Sequence, residues 1–501
     1  MNDSFAVHSA FIRGVEACPV TVEVSFGGGV PNIQLVGMAD SSVLESRSRI
    51  RCALRSTGFE VPRRSITVNL SPGNLRKTGT AFDLPIAVAI LAASGQIPSS
   101  NLDACLFVGE MALNGSLLPV SGEVAFQLHA REMGLTLVSG PSDQHTSLPG
   151  VDHGYIDTLA ALKNGVAEGL KTFASGIDAP GCGESLDFSD VLGQDMAKRA
   201  LAIAATGDLG LMMIGSPGSG KSMLAQRMST ILPSMDDKTL QEALCIHSVA
   251  GEDIHPLLVG SRPFRSPHHS ISMAGLIGGN RPVRPGEISL AHGGILYLDE
   301  MGEFSNAVLQ ALRQPIEQGS VRVVRAEGAF TFPARFRLLA ASNPCPCGYL
   351  GDREVRCRCS AAAIERYRAK LRGPLADRID IIVQVSRPDP ELIVSGVEGL
   401  STRDLDEMVH RGREFREWRQ SRHADTDEGC SLMDSTKESF FNLDESGQAC
   451  VLEMARKTHL TGRGIVRLSR IARSIADIGQ SESISRSHVL EAAMYQGRRD
   501  V

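Results

Sequence analysis

A glycine-rich octapeptide between two structured segments constrains this chain more than any other feature. The apolar run 209–214 predicts a buried strand, and the segment that follows, up to Leu232, predicts a helix. Between them lies the phosphate-binding pattern G-x-x-x-x-G-K-S/T. Its residues are Gly215, Ser216, Pro217, Gly218, Ser219, Gly220, Lys221 and Ser222. Because the pattern joins a strand to a helix, the sequence predicts an α/β fold with a parallel sheet that binds a nucleoside triphosphate.

This loop binds phosphate through its backbone and its side chains together. Successive backbone N–H groups and the following helix N-terminus offer partial positive charge to a polyphosphate. Lys221 can neutralise the outer phosphates, and the hydroxyl of Ser222 is a ligand for Mg²⁺. The sequence therefore predicts a nucleotide and Mg²⁺ at one site.

Two further strands end in side chains that phosphoryl transfer requires. The run 294–298 ends in Asp299 and Glu300, of which Asp299 can hold Mg²⁺ through water and Glu300 can polarise the attacking water. The run 337–342 ends at Asn343, whose amide can fix the same water. We therefore expect hydrolysis of the nucleotide as well as binding.

Phosphoryl transfer also gains from positive charge aimed at the transition state. The segment 375–380 places Arg378 at the start of another apolar run. If the protein forms a ring, Arg378 can act on the nucleotide of the neighbouring subunit as an arginine finger.

Length and composition indicate a large soluble protein. The 501 residues suggest about three domains. The longest apolar stretch, 84–93, is about ten residues, too short to span a membrane, and the amino terminus lacks the order of a secretion signal. Eleven cysteines, an odd number, favour reduced thiols. We expect a cytoplasmic protein with no membrane role. The net charge of −6 means that any binding to nucleic acid must use local basic surfaces.

Pattern changes divide the chain into three regions and a linker. Residues 1–170 mix strand-like and helix-like runs, and 171–186 is a linker rich in glycine, proline and serine. Residues 187–390 alternate strands and helices around the nucleotide motifs, and 391–501 is helical, with an amphipathic helix starting near Thr461. Strands of the first region are predicted at 20–24, 65–70 and 106–108, with a helix at 84–93.

Several motifs, taken in order, give the chain a family resemblance. Besides the phosphate loop they are the segments 187–194, 262–269, 285–292 and 343–348. Together they closely resemble the magnesium-chelatase-like AAA+ proteins of the ComM/YifB family, over nearly the whole chain. The resemblance implies a Lon-protease-like α/β domain first, then an AAA+ ATPase core with a parallel sheet, and last a helical lid.

The resemblance also implies a function. Proteins of this family are ATPases that form homo-oligomers, expected to be hexamers, and act on DNA. They promote branch migration when incoming DNA is integrated during natural transformation. ATP, Mg²⁺ and branched or single-stranded DNA are therefore the expected ligands, without preference for DNA sequence.

Individual residues receive roles from the same resemblance. Asn343 corresponds to the first sensor, and Arg378 corresponds to the arginine finger. Arg463, at the start of the amphipathic helix, corresponds to the second sensor on the lid. Without the resemblance, Arg463 would be interpreted as a solvated charge.

The Lon-like region lacks the residues that proteolysis needs. Lon proteases use a serine nucleophile that a lysine activates. The nucleophile position corresponds to Ala81 and the lysine position to Val124, although a shift of the alignment by one or two residues would bring in Thr80 or Ser121. We therefore expect a non-proteolytic domain that serves as a scaffold or contacts DNA.

Four cysteines in one short segment suggest a metal site. Cys345 and Cys347 form one C-x-C pair, and Cys357 and Cys359 form another. Four thiolates can bind zinc tetrahedrally, but C-x-C is tighter than the usual spacing. A zinc site and a reduced cysteine-rich loop are both compatible with this pattern.

Two segments of the core are candidates for DNA contact. The first runs from 262 to 279 and ends in a glycine-bounded loop, and the second, 321–332, predicts a β-hairpin. AAA+ proteins of the related clade grip DNA with elements at these places, and phosphate contacts from them would be independent of sequence. Packing against a neighbouring subunit is the alternative. The candidate residues are Arg265, His268, His269, Arg322 and Arg325.

Two other function classes share parts of this pattern. A metal-chelatase motor subunit, which acts with a partner on a tetrapyrrole, has the same ATPase core. An ATP-dependent Lon-like protease is the other class, but Ala81 and Val124 oppose it. Stimulation of ATP hydrolysis by DNA, by a chelatase partner or by an unfolded protein would distinguish the three.

Overall fold

Two large β-sheets, of eight and five strands, organise the described residues beside two small two-stranded sheets, and a group of helices follows the five-stranded sheet. The computed structural model describes residues 4–142, 147–173, 186–279, 283–325, 328–352, 354–371, 373, 375–387, 391, 399–424 and 441–496. Most of the predicted linker lies outside these residues. Its first two residues form a strand of the first sheet.

The strands are, in chain order, β1 (Ser4–Arg13), β2 (Glu16–Gly27), β3 (Asn32–Val36), β4 (Ser65–Ser71), β5 (Cys105–Phe107), β6 (Glu110–Met111), β7 (Leu117–Leu118), β8 (Thr136–Ser139), β9 (His153–Tyr155), β10 (Lys171–Thr172), β11 (Leu211–Ile214), β12 (Phe264–Arg265), β13 (Ile295–Leu298), β14 (Ser320–Arg325), β15 (Gly328–Pro333), β16 (Arg337–Ser342) and β17 (Ile381–Gln384). The helices are α1 (Ser41–Ser56), α2 (Asp83–Ala93), α3 (Glu123–Met133), α4 (Val166–Gly169), α5 (Asp195–Gly207), α6 (Lys221–Arg227), α7 (Asp237–Ala250), α8 (His255–Leu258), α9 (Met273–Ile277), α10 (Glu287–Leu290), α11 (Asn306–Ala311), α12 (Arg313–Gln318), α13 (Ala361–Leu371), α14 (Thr402–Ala424), α15 (Glu445–Lys457), α16 (Gly462–Ile478) and α17 (Arg486–Met494).

The first sheet is mixed and supports a fully apolar helix. Its eight strands lie in the order β10-β9-β8-β5-β1-β2-β4-β3. Helix α2 packs on β1 and β2, and nearly all of its residues are buried. A helix that is buried on every side can be apolar throughout, which explains the uniform run 84–93. The predicted strands and helix of this region are confirmed.

The second sheet is parallel, as the phosphate loop predicts. Its order is β12-β13-β16-β11-β17, with β11 between β16 and β17. The register pairs Ile214 with Ser342, and Leu298 with Ala340. The carboxyl ends of β11, β13 and β16 therefore lie along one edge of the sheet. The phosphate loop, Asp299 and Asn343 each follow one of these strands.

The helical region packs on the core through α14 and α16, which both contact α5. Thr461 caps this helix by accepting a hydrogen bond from the backbone N–H of Gly464 at 3.3 Å. Leu468, Ile471 and Ile475 are buried in the same apolar cluster as α5. The predicted amphipathic helix is confirmed, because its apolar stripe is the surface that contacts the core.

The first domain is in direct contact with the core. Helix α3 lies against α7, and the backbone N–H of Gly122 donates to the carbonyl oxygen of Ser248 at 3.3 Å. The backbone N–H of Val124 donates to Ser248 Oγ, also at 3.3 Å. The start of α3 is therefore fixed by hydrogen bonds to the end of α7.

One element differs from the sequence prediction. The glycines at 275, 278 and 279 predict a loop, but Met273–Ile277 forms one helical turn. Ser272 caps this turn by accepting a hydrogen bond from Gly275 N at 3.1 Å. Within the parts of the chain that the structure describes, no helix combines the length and apolar character needed to span a bilayer.

A single carboxylate joins the lid to the base of the parallel sheet. Asp208, between α5 and β11, forms ion pairs with Arg337 of the core and with Arg413 and Arg416 of α14. Burial acts to raise the pKa of Asp208, but the three guanidinium groups hold it well below the usual range. The charged form of Asp208 therefore stabilises the contact between lid and core.

We predict that Asp208→Asn lowers the free energy of unfolding by about 1–2 kcal/mol at neutral pH, because three guanidinium groups lose their shared carboxylate. A depressed pKa stabilises the fold above the unfolded pKa, about 3.9, so the difference from wild type should shrink as the pH falls below about 4. Thermal unfolding of both proteins at several pH values measures this difference in stability. Glu407→Gln, in an exposed pair with Arg403 on the same helix, is the control, and an equal loss in both variants would contradict the claim.

Candidate functional site

The phosphate loop connects β11 to α6, and its glycines stand where a side chain does not fit. Gly218 and Gly220 have φ angles of +79° and +87°, in the left-handed region. A Cβ atom on Gly215 would lie 2.1 Å from the carbonyl oxygen of Val385. The loop therefore depends on glycine at these positions for its tight curl, in agreement with the sequence pattern.

The ammonium group of Lys221 lies against this curl. Its Nζ donates hydrogen bonds to the carbonyl oxygens of Gly215 at 2.8 Å and Ser216 at 2.9 Å. Burial lowers the pKa of Lys221, and the nearby carboxylates of Asp299 and Glu300 act in the opposite direction. The loop, the cation and the two acids therefore form one site.

Ser222 and Asp299, the two predicted Mg²⁺ ligands, are in contact. Ser222 Oγ donates a hydrogen bond to Asp299 Oδ2 at 3.1 Å, and the hydroxyl of Tyr297 lies 3.5 Å from Ser222 Oγ. A hydroxyl and a carboxylate beside a phosphate loop are the hard oxygen ligands that Mg²⁺ prefers. The residues present therefore fit Mg²⁺ bound together with a triphosphate.

Glu300 has a backbone conformation that is rare for a residue with a side chain. Its φ angle is +49°, and its backbone N–H donates to Asp299 Oδ1 at 3.0 Å. Backbone strain of this kind is concentrated at functional sites. The turn after β13 leaves the side chain of Glu300 exposed. A carboxylate in this place can polarise an attacking water.

Asn343 follows β16 and lies near the phosphate loop. Gly348 packs close to both: a Cβ atom there would be 2.7 Å from Pro217 Cδ and 3.8 Å from Asn343 Cγ. Because β11 and β16 are neighbours in parallel register, their ends meet at the same sheet edge. The structure thus places Asn343 with the predicted phosphate and metal residues.

Arg378 lies at the opposite edge of the sheet. It ends a short 3₁₀-helix, Ala376–Arg378, and its carbonyl oxygen lies close to Gly210, which precedes β11. Its guanidinium pairs with Glu317 of the same chain. The length of β11, about 13 Å for its residues, separates this position from the phosphate loop of the same chain.

Arg463 lies in the first turn of α16, where it is exposed. One turn later, Arg467 donates a hydrogen bond to the carbonyl oxygen of Ala376 at 3.3 Å. The start of the lid helix is therefore next to the segment that carries Arg378. The structure brings the regions of the two predicted arginines together, but at the edge away from the phosphate loop.

The four clustered cysteines have the spacing of metal ligands. Cys345 Sγ lies 3.4 Å from Cys347 Sγ and 3.7 Å from Cys357 Sγ, and all four sulfurs, including that of Cys359, lie within 4.8 Å of one another. Sulfurs around zinc, at about 2.3 Å from the metal, are about 3.8 Å apart, whereas a disulfide requires about 2.05 Å. The cluster therefore fits a tetrahedral metal site.

These thiols differ in how readily they ionise. Backbone N–H groups of Arg358 and Tyr349 lower the pKa of Cys347 to about 6. Burial and the neighbouring Cys347 raise the pKa of Cys359 to about 12. Sulfurs this close cannot all be thiolates unless a positive ion compensates their charge.

The predicted hairpin, β14 and β15, is attached to the loop that precedes it. Arg325 donates to the carbonyl oxygen of Gly279 through Nε at 3.0 Å and Nη2 at 2.8 Å. Arg322 is exposed on the same strand, and His268 is exposed on the first candidate segment. The rings of His268 and His269 stack with centroids 4.0 Å apart. Arg325 thus links the two candidate DNA elements into one surface.

Arg265, the remaining DNA candidate, is held inside the chain. It binds Glu287 through Nε at 2.7 Å and Nη2 at 2.8 Å, and it lies 3.4 Å from Glu252. These contacts also raise its pKa, chiefly through the hydrogen bond to Glu287. Two carboxylates compensate its charge, so its contacts here are structural.

The first domain contains a serine, a histidine and a glutamate in contact, which the sequence pattern did not indicate. Ser139 Oγ lies 2.8 Å from His153 Nε2, and His153 Nδ1 lies 3.6 Å from Glu123 Oε1. Ser139 is only 2% exposed and His153 8%. A serine nucleophile must reach its substrate, so this burial favours a structural role. Ala81 and Val124 have only hydrocarbon side chains, so neither can act as a nucleophile or a base.

The parallel sheet, the phosphate loop after β11 and the helices that follow define a class of protein. They fit a P-loop ATPase of the AAA+ type. Comparison with known families agrees over three segments. Residues 187–392 match the family described as magnesium chelatase, subunit ChlI; 22–143 match subunit ChlI of Mg-chelatase, and 399–496 match its C-terminal family.

Similar proteins extend this match to nearly the whole chain. The YifB protein of Salmonella typhimurium is 37% identical over 98% of this chain and 96% of its own. Competence protein ComM of Haemophilus influenzae is 38% identical over 98% of this chain and 97% of its own. This chain belongs to the ComM/YifB family of magnesium-chelatase-like AAA+ proteins. Membership implies ATPase activity with ATP and Mg²⁺ as ligands.

We predict that Glu300→Gln lowers the rate of ATP hydrolysis by about 10²–10⁴-fold, because the amide keeps the size of the side chain but cannot polarise water. ATP binding should be unchanged, since the phosphate loop is intact. Steady-state hydrolysis and equilibrium binding of a fluorescent ATP analogue measure the two effects. Glu303→Gln, a change at an exposed acid in the next turn, should leave both near wild type. Hydrolysis by Glu300→Gln at the wild-type rate would show that another residue polarises the attacking water.

Proposed function

We propose that this chain is the subunit of a cytoplasmic ATP-driven ring, a hexamer, that moves along DNA and drives branch migration during recombination. The observation that carries the proposal is the similarity to competence protein ComM over 98% of this chain. The assembled phosphate loop, with Lys221, Ser222, Asp299 and Glu300, supplies the ATP hydrolysis that such a motor consumes. The ring binds DNA, and hydrolysis of ATP with Mg²⁺ supplies the free energy for its movement.

The position of the arginines supports an oligomer. Arg378 and the start of the lid helix with Arg463 lie at the sheet edge away from the phosphate loop. An arginine in this place serves catalysis only if it reaches the nucleotide of another subunit. The proposed ring therefore pairs the phosphate loop of one subunit with Arg378 and Arg463 of its neighbour.

The surface formed by the hairpin and the preceding loop supports contact with DNA. Arg322 and His268 are exposed there, and the bond from Arg325 to Gly279 holds the two elements together. Contacts from such side chains to phosphate do not read base sequence. A motor that works on any incoming DNA needs a surface of this kind.

A metal-chelatase motor is the second candidate. The magnesium-chelatase 67 kDa subunit of Chlorobaculum parvum is 30% identical, but over only 34% of this chain and 24% of its own. The match to ComM covers nearly the whole chain, whereas the match to the chelatase subunit covers about a third of it. The comparison therefore favours a ComM-like function over a chelatase motor. A Lon-like protease remains disfavoured, because Ala81 and Val124 lack nucleophile and base.

The same proposal includes one zinc ion per chain, bound by Cys345, Cys347, Cys357 and Cys359. The tetrahedral spacing of the sulfurs supports zinc over a reduced loop. A structural ion of this type would hold an irregular segment in place without taking part in hydrolysis.

We predict that DNA stimulates ATP hydrolysis, whereas an unfolded protein or a chelatase partner with its tetrapyrrole does not. Arg322→Ala should weaken DNA binding and reduce the slope of log affinity against log salt concentration by about one, because one phosphate is no longer neutralised. Arg403→Ala, at an exposed arginine on the lid, is the control and should match wild type. Stimulation by the chelatase partner alone would favour the second candidate.

We predict that Arg378→Ala and Lys221→Ala chains, each inactive alone, regain ATP hydrolysis when mixed. One chain keeps its phosphate loop and the other keeps its arginine, so about a quarter of the interfaces in an equal mixture combine both intact. Co-purification of the untagged chain with a partner chain that alone carries an affinity tag verifies that mixed rings form. Mixed rings without recovered hydrolysis would contradict action between subunits.

A further inference from the structure

The segment that carries the four cysteines also packs against the phosphate loop. Its residues 348–352, between the two C-x-C pairs, form what we call the wall of the loop. Gly348 has a φ angle of +85° and packs so closely on Pro217 that a Cβ atom would lie 2.7 Å from Pro217 Cδ. Asp352 lies near Ser216: the backbone N–H groups of Val355 and Glu354, and after them the Ser216 hydroxyl, hold the pKa of the Asp352 carboxyl below its usual value. Two neighbouring residues of the phosphate loop are therefore in contact with the short stretch between the two C-x-C pairs.

Side chains fix the far end of this stretch. Asp352 is 4% exposed at its side chain, and its Oδ1 accepts from the backbone N–H groups of Glu354 and Val355, each at 3.0 Å. Arg387 lies 3.5 Å from Asp352 Oδ2, and its guanidinium stacks over Tyr349 at 5.6 Å. Asp352 is thus oriented toward Ser216 by contacts on both sides.

The stretch has little regular structure of its own. Among its described residues, those from Cys345 to Ser360 form neither helix nor strand. The four sulfurs, which draw its two ends together, are its main crosslink. Cys345 stands two positions after Asn343, so the crosslink also limits the movement of the predicted first sensor.

We propose that zinc bound by Cys345, Cys347, Cys357 and Cys359 holds this wall against the phosphate loop, so that zinc occupancy controls the affinity for nucleotide. The inference rests on the proposed ATP-driven function and deepens it by adding a metal requirement for nucleotide binding. Metal loss removes the crosslink between the two C-x-C pairs and frees the loop between them. Ser216 and Pro217 then lose the surface that positions them.

Three variants of the full chain separate the metal from the wall. Cys357→Ser removes a ligand. Gly348→Ala keeps all four thiols but pushes a methyl group into Pro217. Gly351→Ala is the matched control, because Gly351 has a similar φ angle of +79° and a Cβ atom there meets nothing within 4 Å. Elemental analysis measures zinc, and titration with a fluorescent ATP analogue and Mg²⁺ measures affinity without any need for hydrolysis.

We expect wild type and Gly351→Ala to hold about one zinc per chain and to bind the analogue equally well. Cys357→Ser should lose zinc and bind about tenfold more weakly, a change of the size expected when one hydrogen bond to a charged site is removed. Gly348→Ala should keep zinc and show the same weakening. Zinc returned to chelator-treated wild type should restore its affinity.

Other results would overturn the inference in distinguishable ways. Wild-type affinity in zinc-loaded Gly348→Ala would show that the wall does not act on the loop. Wild-type affinity in folded, zinc-free wild-type protein would show that nucleotide binding does not depend on the metal. A zinc-loaded wild type that binds no nucleotide would contradict the proposed function itself. If Cys357→Ser does not fold, chelator-treated wild type with and without returned zinc still tests the metal, and the comparison of Gly348→Ala with Gly351→Ala tests the wall.

Discussion

The close backbone approach between Gly215 and Val385 is the constraint on which the rest of the site depends. A Cβ atom on Gly215 would lie 2.1 Å from the Val385 carbonyl oxygen, so the loop can leave β11 at this point only because there is no side chain. The loop then curls through Gly218 and Gly220 in left-handed conformations. Its N–H groups are thereby available for phosphate, and Lys221 begins the helix that follows.

The parallel order of the central sheet brings the predicted phosphate, metal and water residues to one edge. Because β11, β13 and β16 run in the same direction, the residues that follow them meet at one end of the sheet. Ser222, Asp299, Glu300 and Asn343 therefore share one edge, although they are far apart in sequence. The opposite edge carries Arg378 and the contacts with the lid. In the proposed ring, the phosphate loop of one subunit and Arg378 of its neighbour would complete one catalytic site.

The sequence was sufficient for the features that local pattern encodes. The phosphate loop, the strands before Asp299 and Asn343, the hairpin and the amphipathic helix α16 follow from residues that are near one another in the chain. The short helix α9 was missed, because its glycines favour a loop and the single cap at Ser272 outweighs them. Local propensity is a weak guide when one capping hydrogen bond decides the conformation.

Contacts between distant residues could not be predicted in this way. The close packing of Gly348 on Pro217 joins the cysteine segment to the phosphate loop, but in the sequence Gly348 is one glycine among many. The ion pairs of Arg265 with Glu287 and Glu252 likewise depend on tertiary packing. Charge and spacing identify such residues as candidates, and only the fold decides whether they face a ligand or one another.

The central claim, that ATP hydrolysis at this site moves DNA, is tested most directly with a synthetic four-way junction. The junction is labelled on one strand and incubated with the protein, ATP and Mg²⁺, and its dissociation into two duplexes is followed by gel electrophoresis. We expect wild-type protein to dissociate the junction only when ATP is hydrolysed, and to do so regardless of the base sequence of the arms. Protein that hydrolyses ATP at full rate and binds the junction, yet leaves it intact, would contradict the claim.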